Sequence, residues 1–180
     1  MGTNLYADPE EIRSEVMARI EDWYGPGFCE KGACFYIAHA TVAVLCARGH
    51  RAIIQAGSMH WRMRPDSAAG STHFGYEFDL AHPFSKMAIA SGTIPEVHIW
   101  AALPDYGIMI DFSTAWLRLI AERDHGFTWE AEDPPLYVWG RPPAAAVYRP
   151  TIEAIRFVLG FMARLRLNEK KEVDSLVSKD

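Results

Sequence analysis

The chain has 180 residues, with 18 Lys and Arg against 23 Asp and Glu and a formal charge of −5. This length suits one domain with its own core, so we expect a single domain over residues 1–180, with a core over about 8–167 and a charged tail over 168–180 that is a frayed helix end or disordered. The acidic balance excludes nucleic acid as an expected partner, and no apolar run reaches the roughly 20 residues that span a bilayer.

The N-terminus and the cysteines indicate the compartment. Residues 1–13 are polar and acidic and lack the basic and then apolar pattern of a signal peptide. Cys29, Cys34 and Cys46 cannot all pair, and two of them lie on one predicted helix, which is typical of a reducing environment. We therefore expect a cytoplasmic protein with no membrane partner.

Two helices are predicted in the first 50 residues. Asp8 has the character of an N-cap and precedes a proline, and Gly25-Pro26-Gly27 ends the helix that follows. Its buried face is expected to carry Ile12, Val16, Ile20 and Trp23. The second helix runs from about Ala33 to Arg48 before Gly49, with Phe35, Ala38, Val42 and Leu45 at helical spacing. Cys34 then lies in its first turn.

The middle of the chain predicts an antiparallel sheet. Four segments are rich in β-branched and aromatic residues, at 53–63, 73–80, 97–103 and 107–112. Residues 103–107 form a turn that joins the last two as a hairpin. The long connection 81–95 is expected to hold a short helix and to form one wall of a cleft.

The last third of the chain is predicted to be mainly helical. Helices are expected over 114–123 and 151–167, with a possible edge strand over 136–139 between them. The inward face of the last helix should carry Ile152, Ile155, Val158, Leu159 and Met162. Together these elements indicate an α+β fold in which the Cys34 helix packs on an antiparallel sheet.

Three polar residues at the borders of apolar runs predict a catalytic triad. Cys34 begins a helix, while His98 and Asp111 lie on the two strands of the hairpin. A helix N-terminus and a neighbouring imidazolium both favour a thiolate, which is the nucleophilic form of cysteine. An aspartate that accepts from the other ring nitrogen fixes the imidazole. We expect His98 to be partly exposed, as a base that meets substrate.

The same residues carry a family resemblance. Gly32-Ala33-Cys34, the helix to Gly49-His50-Arg51-Ala52 and the strand to Gly57 resemble the transglutaminase-like branch of the papain-like cysteine enzymes. His98-Ile99-Trp100 is similar to the family's His-Ala-Trp, and Ile110-Asp111-Phe112-Ser113 to its apolar-Asp-Pro-Thr. Ile99 and Phe112 depart from the usual residues. The resemblance covers roughly residues 30–115 and implies a papain-like, transglutaminase-like fold.

The resemblance also implies an activity. Cys34 would form a thioester with a peptide, protein or small-amide substrate, with His98 as base and then acid and Asp111 as the orienting residue, leading to hydrolysis, deamidation or transamidation. No metal or organic cofactor is implied. Trp23 and Lys31 are the upstream candidates for a side-chain oxyanion donor, and that role is left unassigned. The alternatives are an arylamine N-acetyltransferase-like enzyme that uses acyl-CoA and a non-catalytic binding domain on the same fold.

Structural roles compete with each of these assignments. Cys29 also lies near the helix start, but Glu30 beside it opposes thiolate formation. Cys46 lies late in the helix and is interpreted as structural. His98 is alternatively a hydrogen-bonded core histidine, and Asp111 alternatively caps the helix that follows, a role that Ser113 also suits. The remaining histidines show no tight metal-ligand spacing.

Overall fold

The structure is a computed structural model that describes residues 8–31, 33–65, 67 and 69–177, and the side chains among these up to residue 164. Gly32 of the cysteine motif and residues 1–7 of the polar N-terminus lie outside the described residues. The α+β class is confirmed, because α-helices are combined with a sheet whose strand pairs are antiparallel. The helices are α1 (Pro9–Tyr24), α2 (Cys34–Ala47), α3 (Pro83–Ala90), α4 (Leu117–His125) and α5 (Ile152–Val177). The strands are β1 (Ile53–Arg62), β2 (His73–Tyr76), β3 (His98–Leu103), β4 (Ile108–Asp111), β5 (Val138–Gly140) and β6 (Ala146–Pro150).

Helix α1 begins as the sequence predicts. The backbone N–H of Glu10 donates to the Asp8 carboxylate at 3.0 Å, which satisfies one of the unpaired donors of the first turn. Ile12, Val16 and Ile20 are fully buried and pack in one cluster with residues of α2. The expectation for Trp23 is wrong, because this side chain in the last turn is 55% exposed.

All strand pairs of the sheet are antiparallel, in the order β2-β1-β3-β4-β5, with β6 also paired to β1. Gly57 pairs with both His98 and Pro150, so β3 and β6 lie on opposite edges of β1. Met59 pairs with both Tyr76 of β2 and Tyr148 of β6. Strands β2 and β3 therefore follow one another along the same edge of β1, and the end of β2 meets the start of β3.

The central strand β3 is covered on both faces. His98 and Trp100 alternate with Ile99 and Ala101, and all four are buried. Ile99 packs in a cluster with residues of α2 and α5, while Ala101 packs in the cluster that α1 and α2 share. Helix α2, which begins at Cys34, thus lies against the sheet as predicted.

Strand β6 was not predicted and depends on a glycine. A Cβ at Gly57 would overlap the backbone of Arg149 and Pro150, so only glycine allows β6 to approach β1 at this point. Pro150 is tolerated because β6 pairs only with β1 among the described strands, and its outer edge needs no further donors. This close approach brings Tyr148 over the sheet.

Several predicted elements differ in extent. The strand predicted over 73–80 ends at Tyr76, and the last helix continues to Val177, beyond its predicted end, with residues 178–180 outside the described residues. The prediction is confirmed for Val158, which is buried, but Ile152 and Leu159 are about half exposed, and Ala154 is buried on the inward face of α5 as well. The edge strand near Trp139 and the short helix within 81–95 are confirmed. Within the described part of the chain, no helix is long and apolar enough to cross a bilayer.

Candidate active site

The ends of three elements meet at the predicted triad. Cys34 is the first residue of α2, His98 is the first residue of β3, and Asp111 is the last residue of β4. The β3–β4 hairpin pairs Ala101 with Ile110, so the start of one strand lies beside the end of the other. A 3₁₀ turn over Pro104–Tyr106 and a left-handed Gly107 connect the two strands, as the sequence predicts.

His98 and Asp111 form a buried, hydrogen-bonded pair. The Nε2 atom of His98 lies 2.7 Å from Oδ2 of Asp111, and the two side chains are 1% and 2% exposed. The other carboxylate oxygen, Oδ1, accepts from the backbone N–H and the hydroxyl of Ser113 at 2.9 and 2.6 Å. The Tyr148 hydroxyl donates to Oδ2 at 2.7 Å. Four hydrogen bonds therefore hold the carboxylate, and none of them comes from α4.

The electrostatics of this pair favour its charged form. Burial lowers the pKa of His98, but the carboxylate of Asp111 and the thiol of Cys34 raise it by more, to about 10. Burial likewise raises the pKa of Asp111, and the imidazolium and the Ser113 donors hold it below its usual value. At neutral pH the pair is thus an imidazolium and a carboxylate.

The second ring nitrogen of His98 is buried at a cavity that Cys34 also lines. Nδ1 is buried and has no partner at hydrogen-bond distance and angle among the described residues. Cys34 nevertheless interacts with the ring strongly enough to raise its pKa, and both residues line one narrow cavity with Tyr76 and Ser113. The Cys34 thiol and the His98 ring are therefore neighbours in this cavity.

The other two cysteines have different environments. Cys29 is 7% exposed, and its thiol contacts the Met17 sulfur at 3.8 Å. Burial, followed by the charge of Glu21, raises the pKa of Cys29 to about 11, so this rival nucleophile is a neutral thiol at physiological pH. Cys46 is exposed near the end of α2, which corrects the expectation that it serves the core.

Aromatic rings enclose the imidazole. The rings of Tyr76 and Trp100 lie nearly parallel to His98, with centroids 5.4 and 5.8 Å away. Tyr148 packs against both His98 and Trp100 while its hydroxyl reaches Asp111. The expectation of a partly exposed histidine is therefore wrong, because these rings exclude water from the pair. Sequence reasoning missed Tyr76 and Tyr148 as site residues.

A cleft of about 290 Å³ opens beside Cys34. Its described walls are mainly apolar and aromatic, and they include Phe35, Tyr36, Tyr76 and the segment 94–97. Segment 94–97 directly follows the loop after α3, which confirms that this long connection leads into a cleft wall. Trp23 and Lys31 are not among the residues that line this cleft or the narrow cavity.

The N-terminus of α2 faces this site without a side-chain cap. Ala33 occupies the N-cap position, and the N–H of Ile37 makes the first bond of the helix, to the Ala33 carbonyl. The N–H groups of residues 34–36 therefore have no acceptor within the helix. Unpaired N–H groups at a helix N-terminus are suitable donors for a negatively charged oxygen.

No protein family, curated protein or solved structure matches this chain in the comparisons with known proteins. Among the described residues, no group of three or more His, Cys, Asp or Glu side chains is arranged to hold a metal ion.

Proposed function

We propose that the chain is a cysteine-dependent acyl-transfer enzyme with the papain-like, transglutaminase-like fold. The supporting observation is the buried His98–Asp111 pair, whose Nδ1 has no partner among the described residues and whose ring shares a narrow cavity with a cysteine at a helix N-terminus. A core histidine normally has both ring nitrogens satisfied, because an unpaired buried polar atom costs about 1–3 kcal/mol. The unpaired Nδ1 is explained if its partner is the Cys34 thiolate and, during turnover, the reacting group.

The geometry suggests a role for each residue. The Cys34 sulfur attacks the carbonyl carbon of an amide, and the oxygen that becomes negatively charged is stabilised by the N–H groups of the first turn of α2. His98 then transfers a proton from Nδ1 to the leaving amine, and a thioester remains on Cys34. Water or a second amine attacks the thioester while His98 accepts its proton, which releases the acid or the new amide and restores the thiolate. Asp111 keeps the ring oriented throughout and stabilises its charged form before the first proton transfer and after the second.

Selective alkylation tests the nucleophile. We expect iodoacetamide at pH 7 to modify Cys34 faster than Cys46, even though Cys46 is exposed and Cys34 is only partly exposed. Cys29 should react slowest, since it is buried and its pKa is raised to about 11. Mass mapping of the alkylated peptides over time gives the three rates in one experiment, and Cys46 is the internal control for an ordinary exposed thiol. Equal rates at Cys34 and Cys46 would contradict the proposal.

A further inference from the structure

Tyr76, the last residue of β2, lies on the same face of the sheet as His98. Gly57 of β1 pairs with His98 and Met59 pairs with Tyr76, and alternate residues of a strand face the same side. Close pairing of β2 with β1 depends on Gly75, because a Cβ at this position would overlap the backbone carbonyl of Met59. The strands therefore bring the Tyr76 and His98 rings together, nearly parallel and with centroids 5.4 Å apart.

Tyr76 also lies beside the nucleophile. Among the described residues, Cys34 and Tyr76 alone line both the cleft of about 290 Å³ and the narrow cavity that contains His98. The walls of the cleft are mainly apolar, so they offer few other polar groups to a bound carbonyl. A substrate carbonyl that approaches Cys34 from the cleft therefore also meets Tyr76.

The Tyr76 hydroxyl is an available donor. It makes no hydrogen bond within the described part of the chain, in contrast to the Tyr148 hydroxyl, which donates to Asp111 at 2.7 Å. Burial raises the pKa of Tyr76 well above its ordinary value, and the charges of Cys34 and then Asp111 raise it further. The phenol therefore keeps its proton at neutral pH, so it can donate a hydrogen bond but cannot act as a base.

We propose that the Tyr76 hydroxyl donates to the oxygen that becomes negatively charged when Cys34 attacks a carbonyl. This role rests on the proposed function, to which it adds a catalytic residue. Trp23 and Lys31, the upstream candidates for a side-chain donor, are not among the described residues that line either cavity. The first turn of α2 supplies N–H donors, and Tyr76 adds one from β2. Donors placed where charge develops stabilise the transition state more than the ground state.

The proposed role is confined to steps that pass through a tetrahedral carbon. As the bond from the Cys34 sulfur to the carbonyl carbon forms, an electron pair of the C=O bond moves onto oxygen, and the hydrogen bond from Tyr76 becomes charge-assisted and stronger. When that pair returns, the bond to the leaving amine breaks, and the amine takes its proton from His98. Tyr76 keeps its own proton throughout.

Two reactions of the same sulfur test this role. p-Nitrophenyl acetate acylates a thiol through a tetrahedral intermediate with an oxyanion, whereas iodoacetamide alkylates it by direct displacement of iodide. Acylation is measured as the initial release of p-nitrophenolate, less the release by Cys34→Ser, and alkylation by mass mapping of the Cys34 peptide. Tyr76→Phe, which keeps the ring against His98, should slow acylation about 10- to 100-fold, since loss of one such donor costs about 10²–10³ in a serine protease. Alkylation should change by less than about twofold, because the charges of His98 and Asp111 remain.

Tyr106→Phe is the matched control. It removes a hydroxyl from the turn at the far end of β3 and should leave both rates unchanged. Equal slowing of acylation and alkylation in Tyr76→Phe would mean that the hydroxyl serves the resting thiolate, and it would overturn the inference.

The wild-type rates separate failure of this role from failure of the proposed function. If the wild type cleaves no more ester than Cys34→Ser, the proposed function fails and the role of Tyr76 fails with it. If the wild type cleaves the ester through Cys34 and Tyr76→Phe cleaves it equally fast, only the role of Tyr76 is refuted. Slower acylation with unchanged alkylation supports both, and the unchanged alkylation also shows that the fold around the thiol is intact.

Discussion

Replacement of Asp111 by asparagine is the most direct test of the triad. The substitution keeps the shape of the side chain but removes its charge and replaces one acceptor oxygen by an NH₂ donor. If the amide oxygen stays with the two Ser113 donors, the NH₂ group faces His98 Nε2. The ring then accepts at Nε2 and carries its proton on Nδ1, towards the sulfur. This neutral tautomer cannot take a proton from the thiol.

The size of the effect follows from the buried charges. The rise of the His98 pKa from 6.5 to about 10 corresponds to about 5 kcal/mol in favour of the imidazolium, at about 1.4 kcal/mol per tenfold change. Opposite charges about 4 Å apart contribute about 4 kcal/mol at an effective dielectric constant of about 20. The charge of Asp111 therefore accounts for most of the free energy that favours the imidazolium. Without this charge the buried ring is neutral at pH 7. A thiol without a charged partner is only a few per cent ionised at that pH, which limits the loss of alkylation rate to about 30-fold.

The assay is the rate of Cys34 alkylation between about pH 6 and pH 8. The rate should be higher in the wild type than in Asp111→Asn across this range, because the charged imidazole beside the sulfur persists only in the wild type. In Asp111→Asn it should rise by up to about tenfold per pH unit, as for a free thiol. Asp105→Asn, which removes an exposed carboxylate from the same hairpin, is the control. Overlapping profiles of wild type and Asp111→Asn would mean that Asp111 only organises the turn at Ser113.

Three further perturbations address stability. His98→Ala leaves the buried Asp111 carboxylate without its charged partner and should destabilise the fold by about 3–5 kcal/mol. Removal of a partly exposed base would cost less stability, so a melting temperature within a few degrees of the wild type would refute this expectation. Tyr148→Phe removes one hydrogen bond to a charged group and should cost about 1–3 kcal/mol in urea unfolding, while Cys34 alkylation at pH 7 changes by less than about twofold because the Asp111 charge remains. The pKa of His98 is higher in the folded than in the unfolded protein. The charged His98 therefore stabilises the fold fully below about pH 6.5, and this contribution is lost as the pH rises towards about 10. Unfolding free energies of wild type and Asp111→Asn should therefore converge over this range, and a constant difference would contradict the assignment.

The features that sequence reasoning placed correctly are set by local patterns. The start of α1 follows from the Asp8 cap, and the β3–β4 hairpin follows from the turn residues between two apolar strands. The position of Cys34 at the start of α2 follows from helical spacing and the Gly49 stop. Because these signals lie within a few residues of each element, one sequence is enough to identify them. Pairing of the two hairpin strands then brings His98 and Asp111 together, so no contact between distant parts of the chain has to be predicted for this pair.

The residues that were missed are placed by contacts between distant parts of the chain. Tyr148 reaches Asp111 only because β6 pairs with β1, and β6 is a short segment between prolines whose pairing depends on the absence of a side chain at Gly57. Burial of His98 likewise needs Tyr76 and Tyr148, which come from opposite edges of β1. Neither arrangement leaves a local pattern. These contacts also have a chemical consequence, because the rings of Tyr76 and Tyr148 exclude water from the His98–Asp111 pair. This exclusion allows one carboxylate to keep the imidazole charged beside the thiol.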